Sequence, residues 1–230
     1  MASDPLFATM IWRTIVWLAI TGVLLFVSAG TLAWPQAWLL LAELGVLGLI
    51  SGYSIARSDP ELLRERLRSP VQREQKPWDK VLLMIMFALW MVQYVVAGLD
   101  AKRFATSHMP VWLNVLGAIG VAIGIYAFHV VLRANTFAAP VVKIQAERKH
   151  HVISSGPYAL VRHPMYAGAI PMVIGTPLML GSWYALICAG GIMLVLAVRA
   201  VLEEETLRAE LDGYRDYAER VRYRLVPGLW

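Results

Sequence analysis

Charge is what this sequence is short of. Only 16% of its 230 residues are Asp, Glu, Lys or Arg, where a soluble domain carries about a quarter. The charges stand in blocks, separated by apolar runs of about 18–20 residues, the length that crosses a hydrocarbon core as helix. A water-soluble globular domain is excluded. Cysteine is nearly absent too: Cys188 is single, so no intrachain disulfide can form, and inside an apolar run it reads as a small buried residue. Paired cysteines and HExxH are missing, and the adjacent His150 and His151 cannot easily ligate one ion, so no metal is expected. Neither GxGxxG nor GxxxxGK[ST] occurs, which removes a standard nucleotide cradle. The lone cysteine has no base at triad spacing, which disfavours covalent acyl chemistry. Ionisable groups within the apolar runs are few, chiefly Glu43 and His129, and an ion-coupled transporter should show more.

What is present is apolar: 58% of residues, with a mean hydropathy of +0.57. The expected fold is all-α, a polytopic membrane helical bundle of about six transmembrane helices. Spans are expected at residues 14–32, 37–55, 81–99, 111–132, 165–180 and 183–198. The first is read as a retained helix rather than a cleaved signal, given its length and the second span close behind. Trp34, Pro35 and Trp38 form an interfacial turn. Gly48 and Gly52, and again Gly117, Gly120 and Gly124, offer small-residue faces for close helix contact or dimerisation. Residues 57–80 form a charged loop, in which Ser58-Asp59-Pro60-Glu61 has capping-box spacing before Leu62, Leu63 and Leu67. That predicts a short amphipathic helix on the membrane surface, with a solvated linker as the alternative. The tail beyond residue 199 is too polar to span. Its Leu207, Leu211, Tyr214 and Val221 recur at helical spacing, so a C-terminal amphipathic helix is expected.

Six spans put the N-terminus, the 57–80 loop, the 133–163 segment and the tail on one side. Nineteen of the 21 Lys and Arg lie there, with only Lys102 and Arg103 opposite. That asymmetry assigns the charged side to the cytoplasm. It also accounts for the net charge of +5 through topology and anionic head groups, without nucleic acid as a partner.

On that side lies the densest chemistry in the chain, His150–Gly168, HHVISSGPYALVRHPMYAG. Two spans later come Arg199 and Glu203, four apart and therefore on one helix face, followed by Glu204, Glu205 and Arg208. One at a time, Pro, Tyr, Gly and His in a membrane loop serve most often as turns and interfacial anchors. As a set, Gly156-Pro157-Tyr158, Arg162-His163-Pro164-x-Tyr166-x-Gly168 and the distal Arg with its Glu pair resemble the isoprenylcysteine carboxyl methyltransferase family. That family belongs to a wider group of integral membrane methyltransferases with the phospholipid methyltransferases. The likeness covers roughly residues 130–230. It divides the chain into a four-span scaffold, 1–132, and a methyltransferase-like region, 133–230.

The resemblance implies S-adenosyl-L-methionine as cofactor, held at the cytoplasmic face. By carry-over, His150, His151, Val152, Ile153, Tyr158, His163, Pro164, Met165, Tyr166 and Glu203 would line its site, with Gln145 upstream. Arg199 corresponds to a substrate-contacting Arg, and Arg162 and Glu204 join it as catalytic candidates. Counting back from Gly213 selects Glu204 as readily as Glu203, because the family's Phe-Gly-x-x-Tyr stands here as Asp212-Gly213-Tyr214. Arg and His donors suit the cofactor carboxylate, Glu its amine or ribose, and Tyr faces its sulfonium. Backbone around Gly156 could approach it closely. A carboxylate acceptor needs no base, only Arg199 to hold it; an amine or thiol needs a proton acceptor such as Glu203, Glu204 or a His. The implied acceptor is a lipophilic or lipidated molecule drawn from the membrane. Two other functions fit less well: a membrane sterol-type reductase using NADPH, which normally has more spans, and a non-enzymatic scaffold or transporter.

Overall fold

The computed structural model describes residues 5–230. Its regular structure is helical: α1 (Pro5–Ala29), α2 (Pro35–Ser58), α3 (Pro60–Arg66), α4 (Pro77–Gly98), α5 (Val111–Ala134), α6 (Pro164–Leu180), α7 (Ala185–Glu210) and α8 (Tyr214–Arg220). No strand occurs among the described residues. Among the described residues, five helices are long and apolar enough to cross a membrane: α1, α2, α4 with its π-helical extension to Arg103, α5 and α7. The sixth expected span, α6, has 17 residues, about 26 Å of helix, and is the most enclosed of the set. Large apolar side chains point outward along these helices, among them Val27, Ile50, Ile119, Ile187 and Leu194, while Thr21, Gln93 and Asp79 are buried. Lipid in place of water outside explains that inversion.

Several boundaries differ from expectation. The first two spans include residues before those expected: α1 is already helical at Pro5, the first described residue, and α2 begins at Pro35, where a proline at the first helical turn has no N–H to leave unpaired. The last span does not stop at Val198. α7 runs unbroken through the charged residues to Glu210, because Arg199 and Glu204 find buried partners there. The tail is not one helix either: Gly213 takes φ +79 and starts the separate α8. In α3 the cap is Asp59, whose carboxylate accepts from the Leu62 N–H at 2.9 Å, not Ser58. α3 is not a solvated linker: Leu62 and Leu63 are buried against Met10, Ile55 and Ala138, while Glu61 and Arg64 on its other face are exposed.

The glycine face of α5 packs on α6. A Cβ on Gly117 would come within 2.2 Å of the Met179 backbone nitrogen, and one on Gly124 within 2.5 Å of the Met172 Cβ. Backbone meets backbone there, which only glycine allows. Of the other pair, Gly52 faces Met10, whereas Gly48 contacts nothing. α6 ends at Gly181, φ +82, whose N–H and that of Ser182 return to the Pro177 carbonyl. The far end is tied by Asp100, which accepts from Ser107 Oγ at 2.6 Å and Ser182 Oγ at 2.5 Å. At the opposite, charged end, α3, the 135–163 segment and the chain after α7 converge.

Candidate functional site

Residues 135–163 have little regular structure beyond two 3-10 turns, Ala146–Arg148 and Gly156–Ala159, so side chains must hold them. Asn135 accepts from the Phe137 N–H at 2.8 Å and donates to the Tyr158 hydroxyl at 2.7 Å. Arg148 donates to the Thr136 carbonyl and to Gln145 Oε1, at 2.8 and 2.7 Å. Gln145, fully buried, donates in turn to the Phe137 carbonyl at 2.8 Å. The rings of His150 and His151 pack on Phe137, with centroids 4.5 and 5.0 Å apart. Burial, and secondarily His151 and Arg148, push His150 down to about 4, so it is neutral at physiological pH. Burial raises the Tyr158 hydroxyl to about 12.

A second knot fixes the Arg162-His163-Pro164 turn. Glu204, 2% exposed, accepts from Arg162 Nε at 3.2 Å, Arg224 Nε at 2.8 Å and Arg208 Nη2 at 2.8 Å. Arg162 Nη1 also donates to the Val221 and Arg222 carbonyls. The backbone of the turn is strapped to the C-terminal stretch: Arg162 N–H to Tyr223 O and His163 N–H to Arg224 O, both 2.9 Å. Pro164 then opens α6.

Between the two knots is a cavity of about 320 Å³, within the range of ligand sites. Its polar wall carries Arg199, Glu203, His163, Tyr158, Tyr166 and Arg66; its apolar wall carries Leu83, Met86, Trp90, Phe128 and Leu196 from three membrane helices. Arg199 is held rigidly. Its Nε donates to Asp79 Oδ1 at 2.7 Å, its Nη2 to the Pro140 carbonyl at 2.9 Å, and it lies 5.5 Å over the Tyr166 ring. Asp79 is fixed in turn by Gln75 and by the Val142 N–H. The Tyr166 hydroxyl donates to Glu203, and its ring stacks with His163 at 5.6 Å. His163 Nε2 is buried with no hydrogen-bond partner; Glu204 at 3.9 Å is too far. An orphan of that kind calls for a ligand or ordered water.

Of the residues expected at the site, Arg162, Arg199, Glu203, His150, His151, Val152, Ile153, Tyr158, His163, Pro164, Met165 and Tyr166 line this one cavity. Two do not. Gln145 lies behind the wall, bonded to Phe137 and Arg148. Glu204 is enclosed by its arginines, so of the two candidate glutamates only Glu203 reaches the cavity. Arg162, although it lines the space, spends its donors on Glu204 and carbonyls. Gly156 is not among the lining residues; its φ of +59 starts the 3-10 turn, and a Cβ there would only touch Ala134 at 3.6 Å. Sequence reasoning missed Asp79, Asn135, Phe137 and Arg66. None stands in the motif, and Asp79 reads only as one more charge of the 57–80 loop, just ahead of an apolar run.

Residues 112–211 match the model of the phospholipid methyltransferase family. Protein-S-isoprenylcysteine O-methyltransferases A and B of Arabidopsis thaliana are each 26% identical to this chain over 113 residues, 48% of it and 57% of each of them. The chain thus matches little more than half the length of these curated relatives. Among solved structures, the eukaryotic intramembrane Ras methyltransferase ICMT (isoprenylcysteine carboxyl methyltransferase) shares the fold, with a TM-score of 0.53 and 19% identity over 94% of this chain and 75% of that one. The resemblance read from the Arg162 motif and the Arg199–Glu203 pair is borne out, and both fall inside the matched region.

Proposed function

We propose that this integral membrane protein transfers a methyl group from S-adenosyl-L-methionine to a lipophilic acceptor. The observation that carries this reading is the two-sided cavity: a polar wall built from the 150–166 motif and α7, continuous with an apolar wall of membrane helices. A polar cofactor and a membrane-borne acceptor need such a junction. Nineteen of the 21 basic residues lie in the segments at the cavity end, which supports its facing the cytoplasm.

The donor set fits the cofactor. His163 Nε2 awaits a hydrogen-bond partner, Glu203 offers an anion for an amine or ribose hydroxyls, and the Tyr166 ring offers a face for a cation. Neutral His150 and Phe137 offer stacking surfaces. Bound here, S-adenosyl-L-methionine would supply an activated methyl group for in-line displacement. The residues of the chain then have mainly to align and to exclude water, which can supply about 7–11 kcal/mol of a barrier. Arg199, pinned by Asp79 and Pro140, keeps Nη1 without an intramolecular partner and is set to hold an anionic acceptor. No proton needs to move for a carboxylate. The test is calorimetric titration of the detergent-purified protein with S-adenosylhomocysteine and, separately, NADPH. Micromolar binding of the former, weakened at least about tenfold in His163→Ala, is expected. Binding of NADPH alone would overturn the reading.

A further inference from the structure

At the end of the bundle remote from Arg199 lies a second cavity, of about 440 Å³, again within the range of ligand sites. Trp34, Gln36, Lys102, His108, Asn114 and Gly181 are among the residues around it. The negative charge beside it is already engaged. Asp100 accepts from the hydroxyls of Thr106, Ser107 and Ser182 and from the Tyr184 N–H. At the close of α6, the Leu178 carbonyl accepts from Asn114 Nδ2 at 2.8 Å, and the Pro177 carbonyl from the Gly181 and Ser182 N–H groups.

The donors are not engaged. Trp34 is 1% exposed, and its indole Nε1–H has no partner among the described residues, whereas a buried tryptophan usually finds one. The Lys102 ammonium and the His108 ring form no hydrogen bond or ion pair among the described residues. Of the chain's 21 Lys and Arg, only Lys102 and Arg103 lie in the segments at this end, and Arg103 donates to the Val27 carbonyl at 2.9 Å. Helices α2 and α5 both begin at the cavity, at Pro35 and Val111, and bring their positive ends to it. One acceptor is left over: Gln36 Oε1, buried and unpaired.

Unspent donors with a free cation suit a phosphate, and the leftover acceptor asks for an O–H or N–H on the same molecule. The neighbours of the lining residues say where that molecule comes from. Leu32, Trp38, Val111 and Trp112 are exposed, as the interfacial belt of a bundle in lipid is. The cavity therefore opens at head-group depth. We propose that it binds the head group of a bilayer phospholipid, the phosphate on Trp34 Nε1 and Lys102 and a head-group hydroxyl donating to Gln36 Oε1. Phosphatidylglycerol carries both groups. Phosphatidylcholine carries the phosphate but no donor, and leaves Gln36 unpaired. The site is separate from the Arg199 cavity and does not rest on the methyltransferase reading.

The test is photo-crosslinking of the full chain, purified in an uncharged detergent, with phosphatidylglycerol bearing a diazirine at the head of one acyl chain. Labelled peptides are mapped by mass spectrometry. Label is expected on residues 32–38 or 109–114, at least about fivefold weaker in Trp34→Phe and in Lys102→Gln. Arg57→Gln, which removes a charge at the opposite end, should label like wild type. Lys102 is half-buried and unpaired, so Lys102→Gln keeps the fold and carries the test should Trp34→Phe loosen it. Unlabelled phosphatidylglycerol should compete at least about tenfold better than phosphatidylcholine, and millimolar inorganic phosphate should not compete. Unchanged labelling in Lys102→Gln, label confined to the Arg57 end, or equal competition by phosphatidylcholine would overturn the proposal. Displacement by inorganic phosphate would also overturn it, by making this a site for a free anion.

Discussion

Asp79 and Arg199 meet at 2.7 Å, both buried, across 120 residues of sequence. The contact ties the first turn of α4 to the cavity face of α7 and turns a mobile guanidinium into a fixed one. Asp79→Ala strands a buried cation and should cost about 3–5 kcal/mol, read as a lowered midpoint of thermal unfolding in detergent. Methyl transfer in that variant should fall further than its stability alone explains, because Arg199 loses its orientation. An unfolding midpoint equal to wild type would mean that Arg199 has another anchor.

The two neighbouring glutamates should separate cleanly. Glu204 holds Arg162, Arg208 and Arg224 and does not reach the cavity, so Glu204→Gln should lower thermal stability by several degrees and loosen the Arg162 turn. Glu203 contacts Tyr166 at the cavity wall, so Glu203→Gln should keep the melting midpoint and lower the affinity for S-adenosylhomocysteine. Thermal scans and calorimetry on the two variants distinguish these roles; an exchange of the two outcomes would reassign them.

Acid should unlatch the 135–163 segment. His150 is depressed in the fold to about 4 from an ordinary 6.5, so the unfolded chain binds its proton first. The stability contributed by the neutral ring is complete above pH 6.5 and is lost as pH falls toward 4. Melting midpoints between pH 7 and 4 should therefore fall more steeply in wild type than in His150→Gln. Parallel curves would show that the ring is not buried against Phe137.

On α5, Gly117→Val would drive side-chain atoms into the Met179 nitrogen and Gly175 carbonyl of α6. Neither is a side chain that can swing aside, so a loss of about 1–3 kcal/mol or more is expected. Gly48→Val, with open space around it, is the control and should melt like wild type.

The motif was legible because its spacing is local: Arg162, His163, Pro164 and Tyr166 lie within one turn, and Arg199 and Glu203 within another. The glycine face of α5 was legible for the same reason. The end of α7 was not. Hydropathy falls at Val198, yet the helix continues, since Arg199 and Glu204 are neutralised by Asp79 and Arg162 rather than by water. No local pattern shows those partners. Asp79 stood as a loop charge, and Arg66 looked like part of a solvated face, until α3 folded under the cavity. Glu204 looked as capable as Glu203, because one residue of helical rotation, 100° on the wheel, decides which of them faces the space.

The most direct measurement of the central claim is transfer of a labelled methyl group. Purified protein in detergent is incubated with methyl-labelled S-adenosyl-L-methionine and amine-blocked S-farnesylcysteine, and the organic phase is counted. The account predicts base-labile label, as an ester gives, in wild type and a loss of at least about a hundredfold in Arg199→Ala. No transfer by folded wild-type protein that binds S-adenosylhomocysteine, or equal transfer by Arg199→Ala, would contradict it.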